Sequence, residues 1–408
     1  MVDPSTLDLD NLFSPAVLAD PFPLYHRLRE VEPVRWNPLL GGWLVTRYAD
    51  VAAVMGDLRY SSDWASGHAW ARKLANDEQA HLDLIKSYFS RWMQGMDAPD
   101  HGRQRGLFNK SFAARQLGPL RARIQELTDR ALDAAAPSGR LEVIGELAYP
   151  IASAVILELL GVPPDGRELV QASSRTLLEF FAIIDPAPGQ LERMAKTLTD
   201  VAAYLRTVIA ARREAPQNDL LSALVVAEDQ GKFLHENELT LGCTVLLFAG
   251  HETTTNLIGN SVLALLENPE QLDRLRRGAV PMATAIDELL RYGTPVAGAL
   301  RVAREDTPLG DKTILKGQRV VPLLTAGNRD PAQFPDPDRL DLGRQDGRSL
   351  SFGHGVHYCL GAAIARMEAE IVLGTLLRRF PDLCLASRDL AWNPQVFSRG
   401  LQALPVLL

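Results

Sequence analysis

Near residue 350 the chain reads Phe352-Gly353-His354-Gly355-Val356-His357-Tyr358-Cys359-Leu360-Gly361, with three glycines and Phe352 gathered around one sulfur. A helix-compatible run, Ala362-Ala363-Ile364-Ala365, follows at once. Glycines this dense allow tight or positive-φ turns and a close approach of backbone to another group. A cysteine just ahead of a helix sits where free N–H groups and the positive end of the helix dipole favour a thiolate. Such a thiolate can serve as a metal ligand. Taken alone, a cysteine is more commonly a lone buried thiol than a ligand, and it is the whole set of residues that points to ligation.

The second chemical stretch is Ala249-Gly250-His251-Glu252-Thr253-Thr254-Thr255. It lies inside a helix predicted from Asn237 or Glu238 to Asn268 and stopped by Pro269. About 30 residues at 1.5 Å each give roughly 45 Å. Glycine and successive β-branched threonines are poor helix choices, and threonine hydroxyls compete for backbone carbonyls. A local conflict of this kind in an apolar helix marks function. A hydroxyl (Thr253) beside a carboxylate (Glu252) is a pair that can hold and pass a proton. His251 reads as a surface or helix-packing residue.

Two further pairs have helical spacing. His101 and Arg105 are four apart and suit a dicarboxylate, since charged hydrogen bonds are the strong ones. Glu288 and Arg291 are three apart and can pair, although such pairs are common on any helix.

The elements that must carry these groups read as mostly helical. A short helix over 23–32 leads to two β-rich runs, Val34-Arg35-Trp36 and 42–46, around a Pro/Gly turn. The stretch 60–96 is aromatic, with Trp64, Trp70, Tyr88, Phe89 and Trp92. Residues 120–236 read as successive amphipathic helices broken near 137–139, 161–164, 186–189 and Pro216. No repeat period is present. From His101 to Gln125 there are six basic residues (Arg103, Arg105, Lys110, Arg115, Arg121, Arg123) and no acidic one.

Composition sets bounds. A net charge of -7 and a pI near 5.7 argue against a general nucleic-acid binder. Three cysteines are too few for a disulfide framework and suit a reducing compartment. The start, Met1-Val2-Asp3-Pro4, lacks signal-peptide character, and the apolar stretch 149–160 is interrupted by Glu158 and short for a bilayer. A cytoplasmic protein with no membrane partner is expected.

The cysteine run resembles the haem-binding loop of the cytochrome P-450 family, F-G-x-G-x-H-x-C-L-G, with every fixed position present. The stretch from Ala249 to Thr253 resembles the family's A-G-x-[DE]-T motif, and Glu288–Arg291 its E-x-x-R pair. The resemblance covers nearly the whole chain in the right order. It implies a mostly α fold with a minor β-rich part, a triangular helical domain around a buried haem, formed by residues 1–408 as one domain. It makes Cys359 the axial thiolate and metal ligand. His101, Arg105, Arg301 and His357 then serve the propionates, while Phe352, Gly353 and Gly361 shape the loop. Ala249 and Gly250 keep space above the iron where the helix loosens, and Thr253 with Glu252 manages the two protons that dioxygen must receive.

Arg339 is expected as the third member of an ion network with Glu288 and Arg291. Val245, Phe248, Ala297, Val396 and Phe397 are expected to line an apolar substrate pocket. The implied activity is monooxygenation, as hydroxylation or epoxidation of an apolar secondary-metabolite intermediate, with haem b as cofactor and O2 as co-substrate. The sequence shows no fused flavin or iron–sulfur domain. Electrons are expected from NAD(P)H through a ferredoxin docking at Arg103, Lys110 and Arg115 on a monomeric protein. Oxidative coupling, desaturation or a non-catalytic haem-binding role remain alternatives on the same scaffold.

Overall fold

The computed structural model describes residues 8–63, 74–112, 117–181, 186–229 and 236–408. Trp64, Trp70 and Arg115 lie outside the described residues. In chain order, α1 (Pro15–Ala19) and α2 (Phe22–Val31) precede the hairpin β1 (Val34–Asn37) and β2 (Gly42–Val45). Next come α3 (Tyr48–Gly56), β3 (Tyr60–Ser61), α4 (Asn76–Phe89), α5 (Asp100–Ser111), α6 (Leu117–Ala135) and β4 (Arg140–Glu142). A π-helical turn, Val143–Ala148, leads into α7 (Tyr149–Leu160), α8 (Arg167–Phe181), α9 (Gln190–Glu214) and α10 (Leu220–Asp229). Then follow α11 (Glu236–Glu267), α12 (Pro269–Arg276) and α13 (Met282–Tyr292). The chain continues as β5 (Arg301–Ala303), β6 (Thr307–Leu309), β7 (Lys312–Ile314), β8 (Arg319–Pro322), α14 (Leu324–Gly327), α15 (Ala362–Arg379), β9 (Cys384–Leu385) and β10 (Pro405–Leu407). The fold is mostly α with a minor β part, as the sequence predicts.

Two compact units divide the chain. The larger holds residues 1–60, 121–152 and 252–408; the smaller holds 61–120 and 153–251. In the larger unit β1 pairs antiparallel with β2, with Val34 opposite Val45. β2 pairs parallel with β8, and β8 antiparallel with β5. Val34, Val45 and Val320 from these strands are fully buried with Val51 and Val54 of α3. Isolated two-strand hairpins are marginal in water, so this packing is what holds the sheet. In the smaller unit α9 packs against α4, α8 and α10.

α11 contributes residues to both units, and its three glycines have a shared explanation. A Cβ on Gly242 would meet Phe108 of α5 at 2.6 Å, one on Gly250 would meet Ile156 of α7 at 2.8 Å, and one on Gly259 would overlap Ile144. Each glycine therefore marks a close crossing, which outweighs the ~1 kcal/mol a helix loses for glycine relative to alanine. The helix runs unbroken through Ala249–Thr255, so the loosening implied by the resemblance is not seen. Pro269 occupies the first position of α12, which is how it ends α11.

Among the described residues, one stretch is long and apolar enough to cross a membrane, Val143–Leu160, of mean hydropathy 1.7. The π-helical turn joins α7 and lengthens the apolar run beyond the sequence reading. More than half of it is buried.

Candidate functional site

The cysteine loop belongs to the larger unit and is closed on itself. Cys359 N–H donates to the Phe352 carbonyl at 2.9 Å, and Gly353 N–H to the Leu350 carbonyl at 2.8 Å. Gly353 and Gly355 sit at φ +75° and +72°, a region that side chains with a Cβ rarely enter. A Cβ on Gly355 would also press on the Met55 carbonyl and Gly56 Cα, both at 3.0 Å, so the loop docks directly on the end of α3. Cys359 itself is exposed, two residues before Gly361, the N-cap of the 18-residue α15. Phe352 and Tyr358 meet edge to face at 6.1 Å. Arg366 covers the Phe352 ring at 4.5 Å, and Arg348 covers Tyr358 at 4.4 Å. Arg366 is in turn held by Asp287 of α13 at 2.9 Å.

Behind the loop lies a buried polar network. Arg291 donates to both Glu288 oxygens, at 2.6 and 2.8 Å, and to the Asn328 and Pro337 carbonyls at 2.9 and 2.8 Å. Asn328 donates to Thr294 Oγ1 (2.8 Å) and Ser351 Oγ (2.9 Å), and its Oδ1 accepts the Leu350 N–H at 2.7 Å. The pair Glu288–Arg291 is thereby tied to the residue that precedes Phe352. The expected third member is corrected: the Arg339 side chain is 64% exposed and, among the described residues, pairs with Asp341 at 3.6 Å and not with Glu288. Its carbonyl, not its charge, accepts from Arg291. The guanidinium that reaches Glu288 is that of Arg344, at 3.2 Å and buried. Asn328, Thr294, Ser351 and Arg344 were missed because no spacing rule links residues joined only through loops.

In the same unit, burial raises the Glu252 carboxyl above the ordinary range, and a hydrogen bond from Asn256 opposes this. Thr253 is half-buried. Arg301 is buried on β5 and donates to the Leu300 carbonyl at 2.8 Å. His357 ends the short 3-10 turn Gly355–His357. Ala297 is buried, and its N–H donates to the Phe397 carbonyl at 3.0 Å. Val396 joins a core cluster with Leu12, Val17, Leu24 and Tyr25, with Phe397 packed against it.

The smaller unit brings His101 and Arg105 one turn apart on α5, His101 nearly fully buried. Val245 and Phe248 are buried on α11, and the Phe248 ring lies 6.0 Å from Trp92, which itself stacks on Phe89 at 4.5 Å. Gly250 serves the crossing with Ile156 described above, so helix packing requires it. His251 is buried; burial lowers its basicity while its Nδ1 contacts the Leu247 carbonyl at 2.9 Å. The basic patch is weaker than its sequence suggests. Arg103 is consumed by Glu238 of α11, with contacts of 2.6 and 2.9 Å to a nearly buried carboxylate. Arg121 pairs with Glu370 in the larger unit, while Lys110 is exposed.

The cysteine loop of the larger unit fits the thiolate side of a haem. Among the described residues no group of three or more His, Cys, Asp or Glu could chelate a metal ion. The exposed Cys359 thiol on its glycine-hinged loop suits the single protein ligand that a haem iron takes from a thiolate.

Comparison with known proteins agrees. The family described as Cytochrome P450 matches residues 165–279 and 280–387. The chain is 40% identical over 399 residues to Cytochrome P450 107B1 of Saccharopolyspora erythraea, covering 97% of this chain and 96% of that one. It is 35% identical to the polyketide biosynthesis cytochrome P450 PksS of Bacillus subtilis, covering 95% and 96%. The solved structure of P450BioI in complex with an acyl carrier protein ligated to hexadec-9Z-enoic acid superposes with a TM-score of 0.88 at 36% identity, over 97% of this chain and 100% of that one.

Proposed function

Since the chain belongs to the cytochrome P450 family and is a cytochrome P450 monooxygenase, we propose that it inserts one atom of O2 into an apolar secondary-metabolite intermediate, by hydroxylation or epoxidation. The observation that carries this reading is the Cys359 loop, closed by its own backbone bonds and backed by a buried polar network. We read residues 1–408 as one catalytic domain holding haem b. When bound, haem supplies the iron-centred activation of dioxygen, and a thiolate ligand pushes electron density toward the iron and favours O–O cleavage.

The chain's own residues do the rest. Cys359 provides the thiolate, stabilised by its place ahead of α15. Arg301, His357, His101 and Arg105 are assigned to the propionates, where charge-assisted hydrogen bonds are strong. Thr253 holds a proton donor in place with its hydroxyl. Glu252 gives and takes protons, and burial, which raises its pKa above the ordinary carboxyl value, makes the protonated form easier to reach. Val245, Phe248, Ala297, Val396 and Phe397 are assigned to substrate contact. Electrons are assigned to NAD(P)H through a ferredoxin and its reductase, with Lys110 and Arg115 the candidates of the basic patch for docking. The protein is read as a cytoplasmic monomer. A polyketide or acyl substrate is favoured by the names of PksS and of the carrier-protein complex.

The test is the carbon monoxide difference spectrum of the reduced protein, followed by a substrate screen on spin-state shifts. A strongly red-shifted Soret band that Cys359→Ser abolishes is expected. With haem incorporated and the fold intact, no such band in the wild type rejects Cys359 as ligand. With a substrate in hand, Thr253→Ala is expected to divert NAD(P)H electrons to peroxide, and unchanged coupling rejects its role.

A further inference from the structure

The polar face of α11 within the larger unit runs along the loop that leads to Gly400. Glu252, Asn256 and Asn260 are four residues apart and stack on one side of the helix. Asn260 Nδ2 donates to the carbonyls of Gly293 at 3.0 Å and Arg399 at 2.9 Å. One turn earlier, Asn256 is 1% exposed; its Nδ2 donates to Ser398 Oγ at 3.1 Å, and its side chain also hydrogen-bonds the Glu252 carboxylate. An amide nitrogen carries two hydrogens, so each acceptor can have its own. Gly400 completes the fit, because a Cβ there would overlap Asn256 Oδ1.

Ser398 is itself held firmly. Val296 bridges to Ser398, Ala297 N–H donates to the Phe397 carbonyl at 3.0 Å, and Arg399 N–H donates to the Pro295 carbonyl at 2.8 Å. The Arg399 guanidinium stacks on Trp392 at 3.8 Å and donates to the Leu18 and Ala19 carbonyls at 3.1 and 3.0 Å.

We propose that Ser398 is a positioning residue for the Glu252 carboxylate, acting through the Asn256 amide, so that the loop 396–400 sets where that carboxylate points. Without an oxygen at position 398, one buried Asn256 N–H loses its acceptor. The amide then rotates to find another, and takes its second N–H away from Glu252. The proposal's bearing on catalysis rests on the reading of Glu252 as the proton-handling carboxylate. The geometry it describes does not.

Ser398→Val and Ser398→Thr separate the hydroxyl from its volume, since the two replacements have nearly the same shape. In the reduced carbon monoxide form, with asparagine labelled by 15N, the Asn256 side-chain resonances are assigned by their loss in Asn256→Ala. Solvent exchange of that amide is expected to quicken about fivefold in Ser398→Val, the factor matching one hydrogen bond of ~1 kcal/mol. Ser398→Thr restores it. The C–O stretching bands of the Glu252 side chain, assigned by their loss in Glu252→Gln, are expected to shift in Ser398→Val alone. An Asn256 amide and a Glu252 band unchanged by Ser398→Val overturn the proposal. A changed amide with an unchanged Glu252 band overturns it as well. Neither readout involves turnover, so failure here is distinct from failure of the proton-supply reading, which is decided by the coupling of Glu252→Gln.

Discussion

Asn328→Ala is the sharpest probe of how the fold presents Cys359. The amide is fully buried and makes three hydrogen bonds, two given to Thr294 and Ser351 and one taken from Leu350 N–H. Truncation leaves the Leu350 N–H buried without an acceptor, which costs about 1–3 kcal/mol. Thr294 and Ser351 lose a donor but keep their own bonds to the Leu290 carbonyl, at 3.0 and 2.8 Å. Those two losses add about 0.5–1 kcal/mol each. The total is about 2–5 kcal/mol, a large share of the 5–15 kcal/mol typical of a whole domain. Ser351→Ala removes one of the three bonds to Asn328 and should cost about 1 kcal/mol.

The damage should also be local. Leu350 and Ser351 directly precede Phe352, so the cysteine loop loses its anchor before the helices do. Denaturant titrations of the carbon monoxide complex, followed in parallel by the thiolate Soret band and by far-ultraviolet circular dichroism, read both effects. In Asn328→Ala the Soret transition should fall to lower denaturant and separate from the helix transition. A Soret midpoint within ~1 kcal/mol of wild type, or two transitions that move together, would refute the reasoning, because either would mean that the amide is not what holds the loop.

Three further outcomes follow from the same geometry. Arg344→Ala should cost about 2–4 kcal/mol by stripping the buried Glu288 of one partner, whereas exposed Arg339→Ala should stay within ~0.5 kcal/mol; denaturation midpoints in the reverse order reject the assignment. Arg103→Ala should destabilise by about 2–3 kcal/mol through the unpaired Glu238, while Lys110→Glu changes the salt dependence of electron transfer with little effect on stability; the opposite pattern restores Arg103 as a docking residue. Glu368 on α15 is fully buried, and burial lifts its pKa well above the ordinary 4.5. The unfolded chain ionises first as pH rises, so this group's stabilisation is present below pH 4.5 and lost as pH climbs toward the folded value. Glu368→Gln should therefore gain stability over wild type as pH rises above 4.5, and melting curves with a constant difference would count against it.

The parts legible in the sequence were those whose chemistry is local. The cysteine run, the span of α11 with Pro269 beyond it, the hairpin β1–β2 and the Glu288–Arg291 pair each follow from spacing within one element. What escaped depends on where long side chains turn. Arg339 and Arg344 are five apart in an irregular stretch, where no periodicity says which guanidinium faces inward. The roles of Gly242, Gly250 and Gly259 need the identity of the crossing partner, which lies far away in sequence. The Glu252–Asn256–Asn260 row had a signal, polar residues at intervals of four in an apolar helix, but its acceptors lie some 140 residues on. Val396 sits in a core cluster because its loop turns that side chain toward α1 and α2, a direction that alternation in a short loop does not fix.

The three-stranded sheet has a consequence for vectorial synthesis. Its order is β4-β10-β9, so the strand made last is the central one, with Val406 opposite both Leu141 and Leu385. Every residue of the smaller unit has been translated by position 251, and that unit can consolidate on the ribosome as its segments emerge. The larger unit must wait for residue 407, holding β4 unpaired while some 260 residues are added at about 5–20 per second. For that interval β4 stands open to wrong partners, and β10 is the strand that seals it on the nascent chain.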